Sequence, residues 1–572
     1  MIKRHILASL RAYVALFCVS ALVIAVSFWI FPSAFFDPLN TGWITDSGDF
    51  EQHYIGWQFF RKTPILQYPL FKIPNYGIVD SNSIIYTDSI PLFALIAKAL
   101  PIHSDIEFQY FGIYVGLSMV LSALFAGRYL RLSNIKLSIS IPLSLLIAIT
   151  PVLLSRATGH TALTSQWLII CALILARSKH NKFGFWFLLL QAALLIHLYL
   201  FVMVAALFSA SYADKLFRKV IKLRARDFLS IAAIVFALIP SLYIYGYAPF
   251  LPSNATASGY GVFATNLLSP FNPVGIYSSI LPALPSHYGS NEGLAFPGIA
   301  LLFLNVPVWF IKSVRSRFLE LNLRQPILLC TCFLLALFSI TPVIHFGALT
   351  VDLGRLPYPF FILGDIFRAS GRFIWPFFYF YYLNLLVAFG SHLQEIKYPR
   401  ARSLVLILLI TIAVFDLREF RALRHARLNT ERSTTSSHVQ LIGNLPPTVD
   451  PSRLTSILFF PNKEEPNGWN KLARAALSLN IPTNGTSLAR YNQKKISMQN
   501  QSLERIILNE PRVDTLYVIT DDLTYHDLKD IHPQCAHIDI DTKRELQRPT
   551  HCVDIVDGLK MLLPVTKPLN HS

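Results

Sequence analysis

The stretch from Asp46 to Arg61 places acids, a histidine and aromatic residues close enough together to carry out chemistry. It reads Asp-Ser-Gly-Asp-Phe-Glu-Gln-His-Tyr-Ile-Gly-Trp-Gln-Phe-Phe-Arg. Asp46 can cap a helix whose first turn holds Asp49, and a carboxylate suits the positive end of a helix dipole. Asp49 and His53 then lie four residues apart on one face, with Gln52 beside them. Asp49 is therefore the candidate general base, and an interfacial helix with merely solvated acids is the alternative.

Two distant segments supply further polar groups. Asp88 precedes the apolar segment Ser89 to Leu100, which is helical in pattern but only twelve residues long. A segment of that length enters the edge of a bilayer rather than spanning it, and so returns Asp88 to the surface. Arg368 and Arg372 lie four residues apart at the head of a later apolar span, where two planar guanidinium groups suit a lipid phosphate. Snorkelling interfacial arginines are the alternative for this pair.

The composition defines the class of protein that must position these residues. Of the 572 residues, 53% are hydrophobic and 15% are charged, and the mean hydropathy is +0.46, which is too apolar for a soluble protein of this size. The formal charge of +17 resides in short loops between apolar segments, which follows the positive-inside rule and argues against nucleic acid as a partner. The sequence predicts an α-helical polytopic membrane protein with about 11–12 membrane helices.

Basic loops also predict the orientation in the inner (plasma) membrane. The first residues carry Lys3, Arg4 and Arg11, so the N-terminus is expected in the cytoplasm. The apolar run 12–31 is expected to be a retained membrane helix rather than a cleaved signal peptide. Residues 32–107 then form an outer loop that carries the candidate site.

The apolar run from Phe183 to Ala213 is too long for a single upright span. As one span it would leave the basic segment Lys215 to Arg226 outside. Two shorter helices that meet near His197 keep this segment inside and bring His197 to the outer surface, where it is a candidate substrate contact. A single long tilted helix is the alternative.

From residue 416 the composition changes, which divides the chain into a membrane domain, 1–415, and an extracytoplasmic domain, 416–572. Two strand-like runs, Ser456 to Phe460 and Thr515 to Thr520, flank a helix-like run at 469–479, so this tail is predicted to be a small α/β domain. It contains no Gly-rich phosphate loop, metal-ligand spacing or nucleophile elbow.

The tail contains only two cysteines, Cys535 and Cys552. Two isolated cysteines in an oxidising compartment predict one disulfide, in agreement with an outer tail.

Several motifs resemble those of a narrower protein family. They are Gly48-Asp-Phe-Glu-Gln-His-Tyr-Ile-Gly-Trp, Tyr86-Thr-Asp-Ser-Ile-Pro-Leu, Gln109-Tyr-Phe-Gly and Phe367-Arg-Ala-Ser-Gly-Arg-Phe. They resemble an uncharacterised bacterial family of unknown function whose organisation is similar to that of the polytopic GT-C glycosyltransferases. The resemblance covers roughly residues 1–415.

The GT-C class implies lipid-phosphate sugar donors and an acid of the first outer loop, here Asp49, as general base or metal contact. Asp46 and Asp49 lie three residues apart and depart from the usual Asp-Asp or Asp-Glu pair. The resemblance therefore does not decide whether a divalent metal is the cofactor.

The predicted reaction transfers a sugar from a polyprenyl-phosphate donor to a glycan, lipid or protein acceptor on the extracytoplasmic face. Asp49 removes the proton of the acceptor hydroxyl as that hydroxyl attacks the sugar, and Asp88 and His53 are expected near Asp49. The leaving phosphate is stabilised by basic side chains, for which Lys98, Arg368 and Arg372 are the candidates. A transporter or flippase of lipid-linked glycans, or an assembly protein, is the non-enzymatic alternative.

Overall fold

The structure is a computed structural model that describes residues 2–44, 48–77, 82–103, 106–222, 224–249, 259–354, 363–364, 366–429, 450–466, 468–509, 512, 514–520, 550–556 and 559–564, with residues 2–13 and 550–564 described by their backbone alone. The helices are α1 (Ile2–Ile30), α2 (Ser33–Phe36), α3 (Asp49–Arg61), α4 (Pro91–Lys98), α5 (Phe111–Arg131), α6 (Leu137–Ala148), α7 (Pro151–Leu154), α8 (Trp167–Ala176), α9 (Phe183–Ile196), α10 (Leu198–Phe217), α11 (Ala225–Tyr245), α12 (Ile299–Phe303), α13 (Val306–Phe310), α14 (Lys312–Leu323), α15 (Pro326–Ile340), α16 (Trp375–Glu395), α17 (Pro399–Asp416), α18 (Arg418–Leu428), α19 (Trp469–Leu479) and α20 (Gln493–Asn509).

The strands are short and few. They are β1 (Lys72–Ile73), β2 (Asn82–Ser83), β3 (Val343–Phe346), β4 (Leu349–Asp352), β5 (Ser456–Phe460), β6 (Thr515–Ile519), β7 (Thr550–Val556) and β8 (Leu559–Pro564). The pairs β1–β2 and β3–β4 form two separate antiparallel hairpins, while β5 to β8 form one sheet in the order β5-β6-β8-β7.

Five helical segments of the described residues are long and apolar enough to cross a membrane: α5, Leu137–Leu154, α10, α11 and Ser370–Glu395. A sixth would be the segment Ile299–Phe310 taken together with α14, which bend by 106° at their junction. Four shorter apolar helices, Val14–Ile30, Thr161–Ala176, α9 and α15, accompany them. The predicted class, a polytopic α-helical membrane protein with a small C-terminal α/β portion, is confirmed. The count of membrane helices stays a prediction.

Proline marks the beginning of many of these helices. The N-terminal helical positions hold Pro91, Pro151, Pro326, Pro376 and Pro399. Proline is well tolerated there because its missing N–H would have no intrahelical partner in the first turn. These residues therefore help to set where each apolar run becomes helical.

The run predicted to break near His197 does so. His197 has the extended backbone angles φ −165° and ψ 134° between α9 and α10. The ring of Phe183, at the start of α9, lies 6.2 Å from that of Tyr212, near the end of α10. Residues so far apart in sequence meet in this way only if the second helix folds back along the first, so the run is a hairpin and not one tilted helix.

The chain divides into two units. We call the first the membrane unit; it comprises Met1–Trp43, Phe108–Leu238 and Thr256–Glu431. We call the second the loop–tail unit; it comprises Ile44–Glu107, Ile239–Ala255 and Arg432–Ser572.

Polar side chains inside the membrane unit pair with one another. The hydroxyl of Tyr129 donates to Asn384 Oδ1 at 2.7 Å, and the hydroxyl of Tyr379 donates to Gln166 Oε1 at 2.5 Å. All four residues are buried. Such pairs join helices in an apolar environment, where an unsatisfied polar group is costly.

The tail contributes a sheet to the loop–tail unit. Strands β5 and β6 are parallel, and α19 and α20 form the crossover between them. On one face of this pair, Leu458, Phe460, Tyr517 and Ile519 pack with Leu503 and Ile507 of α20. Thr483 of the crossover forms isolated bridges to Ile457 of β5 and to Tyr76 of the first loop. The first loop and the tail are therefore parts of one folded body.

Candidate active-site residues in the two units

Helix α3 begins at Asp49, one residue after Gly48, whose φ of 61° is easily adopted only by glycine. The first turn holds Asp49, as predicted, together with Glu51, but the N-cap residue is Gly48 instead of the predicted Asp46. Asp46 lies outside the described residues. Helix α3 buries the aromatic residues Phe50, Tyr54 and Trp57, of which Trp57 is fully inaccessible. The side chain of Asp49 is exposed, so the helix presents this acid to solvent at its N-terminal end.

Gly56 allows the turn at Thr87 to Ser89 to pack directly against α3. A Cβ atom at Gly56 would lie 2.1 Å from Thr87 Oγ1 and 2.8 Å from Ser89 Oγ. The Ser89 hydroxyl donates to the backbone carbonyl of His53 at 2.7 Å. These contacts fix the residue between them, Asp88, above the middle of α3.

The backbone around Asp88 is unusual. Asp88 and Ile90 have φ of 53° and 52°, in the left-handed region, where a β-branched residue such as Ile90 is a rare exception. Pro91 then starts α4. Strained conformations of this kind persist only where the surrounding structure holds them, and they are concentrated at functional sites.

His53 and Asp88 meet in the loop–tail unit. A ring nitrogen of His53 and a carboxylate oxygen of Asp88 lie within 4.8 Å of each other. The His53 side chain is fully buried, whereas Asp88 is half-buried. Burial lowers the pKa of His53 to about 3, because desolvation disfavours the imidazolium form. A neutral imidazole beside a carboxylate is a partial ligand set for a divalent cation, and metal use stays a prediction.

Gln52 and Lys98, two predicted substrate contacts, are engaged inside the same unit. Gln52 is buried and accepts a hydrogen bond from Ser487 Oγ at 2.8 Å. The Lys98 ammonium donates to Thr63 Oγ1 at 2.6 Å and to the Pro64 carbonyl at 2.9 Å. Burial lowers the pKa of Lys98 to about 8. Lys98 thus holds the first loop together and Gln52 connects this loop to the tail, and their roles toward a substrate stay predictions.

In the membrane unit, His197 caps α10. Its Nδ1 atom accepts a hydrogen bond from the backbone N–H of Tyr199 at 3.1 Å, as a side chain at the first position of a helix does. The ring is largely buried. The Tyr199 hydroxyl accepts the backbone N–H of Ala369 at 3.1 Å. The hairpin turn thus supports the segment that carries the two predicted arginines.

Arg372 binds an acid that the sequence did not single out. Its Nε atom donates to Glu292 Oε2 at 2.7 Å, and Arg156 Nη1 lies 3.0 Å from both carboxylate oxygens of Glu292. His160 Nε2 lies 3.9 Å from Glu292 Oε1. The two arginines hold the pKa of Glu292 well below its usual range, although burial opposes them. The Glu292 cluster, made of Arg156, His160, Glu292 and Arg372, thus holds two guanidinium groups against one carboxylate.

Close backbone packing creates this cluster. The turn Ser290–Gly293 and the turn Ser370–Ile374 approach so closely that a Cβ atom on Gly371 would lie 2.7 Å from Gly293 Cα. Glycine on both sides removes the clash. The Asn-Glu-Gly sequence of the first turn was the available signal for Glu292, but its partners are far away in sequence and could not be identified from spacing.

Arg368 takes a different position from Arg372. The regular helix α16 begins only at Trp375 and is preceded by a 3₁₀ turn, so the two arginines do not lie on one helix face as their spacing predicted. Arg368 is half-buried, and its guanidinium carbon lies 6.0 Å from the centre of the Phe263 ring. Among the residues that the structure describes, Arg368 has no ion pair.

The predicted disulfide cannot be examined directly, because Cys535 lies outside the described residues while Cys552 lies in β7. The disulfide therefore stays a prediction. The membrane-helix cysteines Cys18, Cys171, Cys330 and Cys332 are free thiols.

Taken together, fold and composition define a polytopic helical membrane protein. Residues 20–418 match the profile of the family described as Domain of unknown function (DUF6311), and residues 451–542 match that of the DUF6311 C-terminal domain. The chain belongs to this family, which confirms the resemblance drawn from the motifs. Comparison with the curated proteins finds no match.

Solved structures similar to the chain include ArnT from Cupriavidus metallidurans in the apo state, at 13% identity and a TM-score of 0.48, over 97% of this chain and 98% of that one. They also include the archaeal oligosaccharyltransferase AglB from Archaeoglobus fulgidus in complex with an inhibitory peptide and a dolichol-phosphate, at 12% identity and a TM-score of 0.38, over 90% and 70% of the two chains. At these TM-scores the similarity assigns neither a reaction nor a residue to this chain.

Proposed function

We propose that this protein is a membrane glycosyltransferase that moves a sugar from a polyprenyl-phosphate donor to a hydroxyl of a glycan, lipid or protein acceptor on the extracytoplasmic face. The observation that carries the proposal is the convergence of His53 and Asp88 on a strained, tightly packed turn. Both residues lie in motifs of a family whose organisation resembles that of the GT-C glycosyltransferases, a class that uses such donors.

In the proposed reaction, the acceptor oxygen forms a bond to the anomeric carbon as the bond from that carbon to the phosphate oxygen breaks. The acceptor proton passes to the Asp88 carboxylate, and the polyprenyl phosphate leaves with an additional negative charge. Asp88 is preferred to Asp49 because Asp49 is exposed at the end of α3. His53 is neutral near pH 7, given its low pKa, so it assists Asp88 by hydrogen bonding or by binding a cation rather than by storing a proton.

Recognition of the donor phosphate is proposed for the membrane unit. In the Glu292 cluster, two arginines with side chains 5% and 8% exposed share the Glu292 carboxylate, so guanidinium groups are concentrated close in sequence to Arg368. Arg368, which has no ion pair among the described residues, is the guanidinium proposed to contact the phosphate.

The proton-transfer proposal is tested with purified protein in lipid vesicles and a panel of radiolabelled polyprenyl-phosphate sugars. Asp88→Asn should lower transfer by about 100-fold or more, the usual scale for loss of a general base, while expression and thermal stability are retained. Glu504→Gln, which removes an exposed acid of α20, is the matched control and should transfer normally.

Asp49→Asn in the same assay decides between the two acids. If Asp49→Asn alone abolishes transfer and Asp88→Asn does not, the base is Asp49, as the spacing in α3 predicts. If the wild-type protein moves the lipid-linked sugar across the vesicle membrane without forming a new glycosidic bond, the protein is a transporter and the enzyme proposal is wrong.

The phosphate-binding proposal concerns Arg368. Arg368→Gln should raise the KM for the donor by about 10-fold, because a charge-assisted contact is lost, and should leave thermal stability unchanged, since none of the described residues forms an ion pair with Arg368. Glu292→Gln is the contrasting variant: it removes the carboxylate that the buried Arg156 and Arg372 share and should lower thermal stability strongly. A donor KM that is unchanged in Arg368→Gln would remove this residue from donor binding.

A further inference from the structure

The C-terminal tail contacts both the segment that carries His53 and the segment that carries Asp88. Arg474 of α19 donates from Nε to Glu51 Oε1 at 2.9 Å, and Asn470 Nδ2 donates to Glu51 Oε2 at 2.8 Å. Glu51 and Arg474 are 5% and 4% exposed. Glu51 precedes His53 by two residues on α3, so this buried ion pair ties the tail to the helix that carries the histidine.

The loop after α19 grips the second segment. The backbone N–H of Ala489 donates to the carbonyl of Tyr86 at 2.7 Å, two residues before Asp88. Ser487, in the same loop, makes two further contacts. Its hydroxyl donates to Gln52 on α3, and its backbone N–H donates to the Tyr76 hydroxyl at 3.0 Å. We call the contacts made by Arg474, Ser487 and Ala489 the tail clamp.

Arg474 contributes more to the position of α3 than to the net stability of the fold. A buried ion pair is a poor source of net stability compared with apolar packing, but removal of one partner leaves an uncompensated charge in a dry environment. The guanidinium also lies over the ring of Tyr54, with its carbon 5.2 Å from the ring centre. Arg474 is therefore held by one carboxylate and one ring of α3, which fixes the rotation and position of this helix against the tail.

We propose that the tail clamp is a positioning device for the reaction, in which Arg474 acts through Glu51 and α3 to hold His53 against Asp88. This inference rests on the proposed function. It gives the C-terminal domain a role in setting the geometry of the site rather than in binding a separate partner. A displacement of about 1 Å at reacting groups can cost about 100-fold in rate, so loosening the clamp should act on turnover.

The first test measures hydrogen–deuterium exchange of the full-length protein in detergent. Arg474→Gln should accelerate amide exchange in residues 50–60 and 84–90 on the order of 10-fold, since breaking the pair lowers the local opening free energy. Arg505→Gln, which removes an exposed arginine of α20, is the matched control and should leave both segments unchanged. Glu51→Gln should reproduce the effect, and the double variant should add little to either single change.

The second test uses the transfer assay. Arg474→Gln should lower kcat by about 10- to 100-fold with little change in the donor KM, because neither Arg474 nor Glu51 is proposed to contact the donor phosphate. Arg474→Lys keeps the cation and should restore part of the turnover. A general loss of folding would instead reduce the amount of active protein without restoration by lysine. Should Arg474→Gln fail to fold, Ser487→Ala, which removes only the hydroxyl contacts, replaces it.

The outcomes separate the two proposals. Unchanged exchange at 50–60 and 84–90 in Arg474→Gln overturns the tail clamp, even if Asp88→Asn abolishes transfer. Absence of transfer in the wild-type protein overturns the proposed function, while the exchange experiment still decides whether the tail holds the two segments. Equal effects of Arg474→Gln and Arg505→Gln would also contradict the inference.

Discussion

His53 connects burial to pH dependence at the scale of one residue. In the unfolded chain its imidazole titrates near 6.5, whereas burial lowers its pKa to about 3 in the fold. The unfolded state therefore binds more protons between these values, so the free energy of unfolding falls as the pH is lowered through this window. Above pH 6.5 the contribution of His53 to the free energy of unfolding is constant.

The predicted consequence is an acid-sensitive thermal midpoint that depends on His53. Between pH 6.5 and 3 the free energy of unfolding should fall by up to about 1.4 kcal/mol per pH unit from this group. His53→Gln should flatten the profile of Tm against pH in detergent. His180→Gln, at an exposed position, is the control. An identical acid-induced decrease in wild-type protein and His53→Gln would show that the histidine is not buried as a neutral ring.

The residue types of a segment indicated which chemistry it could support, but they did not indicate which residues would contact each other. The spacing in α3 correctly predicted that Asp49 lies in the first turn of a helix, but the N-cap residue is Gly48 and not the predicted Asp46. It did not decide between an Asp49 that faces a site and a solvated Asp49, since this depends on which surfaces pack against α3. Nor could it identify Glu292 as the partner of Arg372, 80 residues away in sequence.

At the scale of elements, Gly56 makes the packing of α3 against the Asp88 turn possible. Alanine has the higher intrinsic helix propensity, by about 1 kcal/mol, so an isolated helix would gain from Gly56→Ala. In the fold the new methyl group would lie 2.1 Å from Thr87 Oγ1, and such overpacking costs about 1–3 kcal/mol.

We expect Gly56→Ala to lower the thermal midpoint and to reduce transfer, because the turn that carries Asp88 must move away from His53. Differential scanning fluorimetry and the transfer assay measure the two effects. Gly184→Ala on α9 is the matched control, since a Cβ atom there meets nothing within 4 Å, and its midpoint should stay equal or rise. A Gly56→Ala protein as stable and active as wild type would contradict the packing.

Element boundaries were the most predictable level of this fold. The tail helix at 469–479 and the strands at 456–460 and 515–519 occur where the apolar patterns place them. The hairpin at His197 followed from length and loop charge, two quantities that the bilayer constrains directly. Patterns of this kind are local, so a single sequence is sufficient to detect them.

At the scale of the whole molecule, the loop–tail unit shows what local patterns do not determine. Residues 44–107 and the tail from 432 onward belong to one unit, although the sequence suggested only that both are outside the membrane. The buried pair Glu51 and Arg474, which helps to join them, is separated by 423 positions. Contacts at such separation depend on the complete fold and leave no periodic signal.

The membership of the first loop and the tail in one unit bears on topology, because one folded unit cannot be divided between two sides of a membrane. If the tail is extracytoplasmic, the α3 loop must be as well, and the basic helix α14 should face the cytoplasm, as the positive-inside rule predicts. Cysteine labelling tests this in cells whose protein lacks the free cysteines Cys18, Cys171, Cys330 and Cys332. Ser502→Cys on α20 and Ser316→Cys on α14 introduce single exposed thiols at the two predicted sides.

An impermeant maleimide should label Ser502→Cys in intact spheroplasts and should label Ser316→Cys only after the membrane is permeabilised. The parent protein without an introduced cysteine measures the background, to which Cys535 and Cys552 contribute only if their predicted disulfide is absent. Labelling of both positions from the same side would show that the loop–tail unit and α14 share a compartment. The charge pattern would then have to be explained by something other than membrane orientation, and a reaction on the extracytoplasmic face would lose its physical basis.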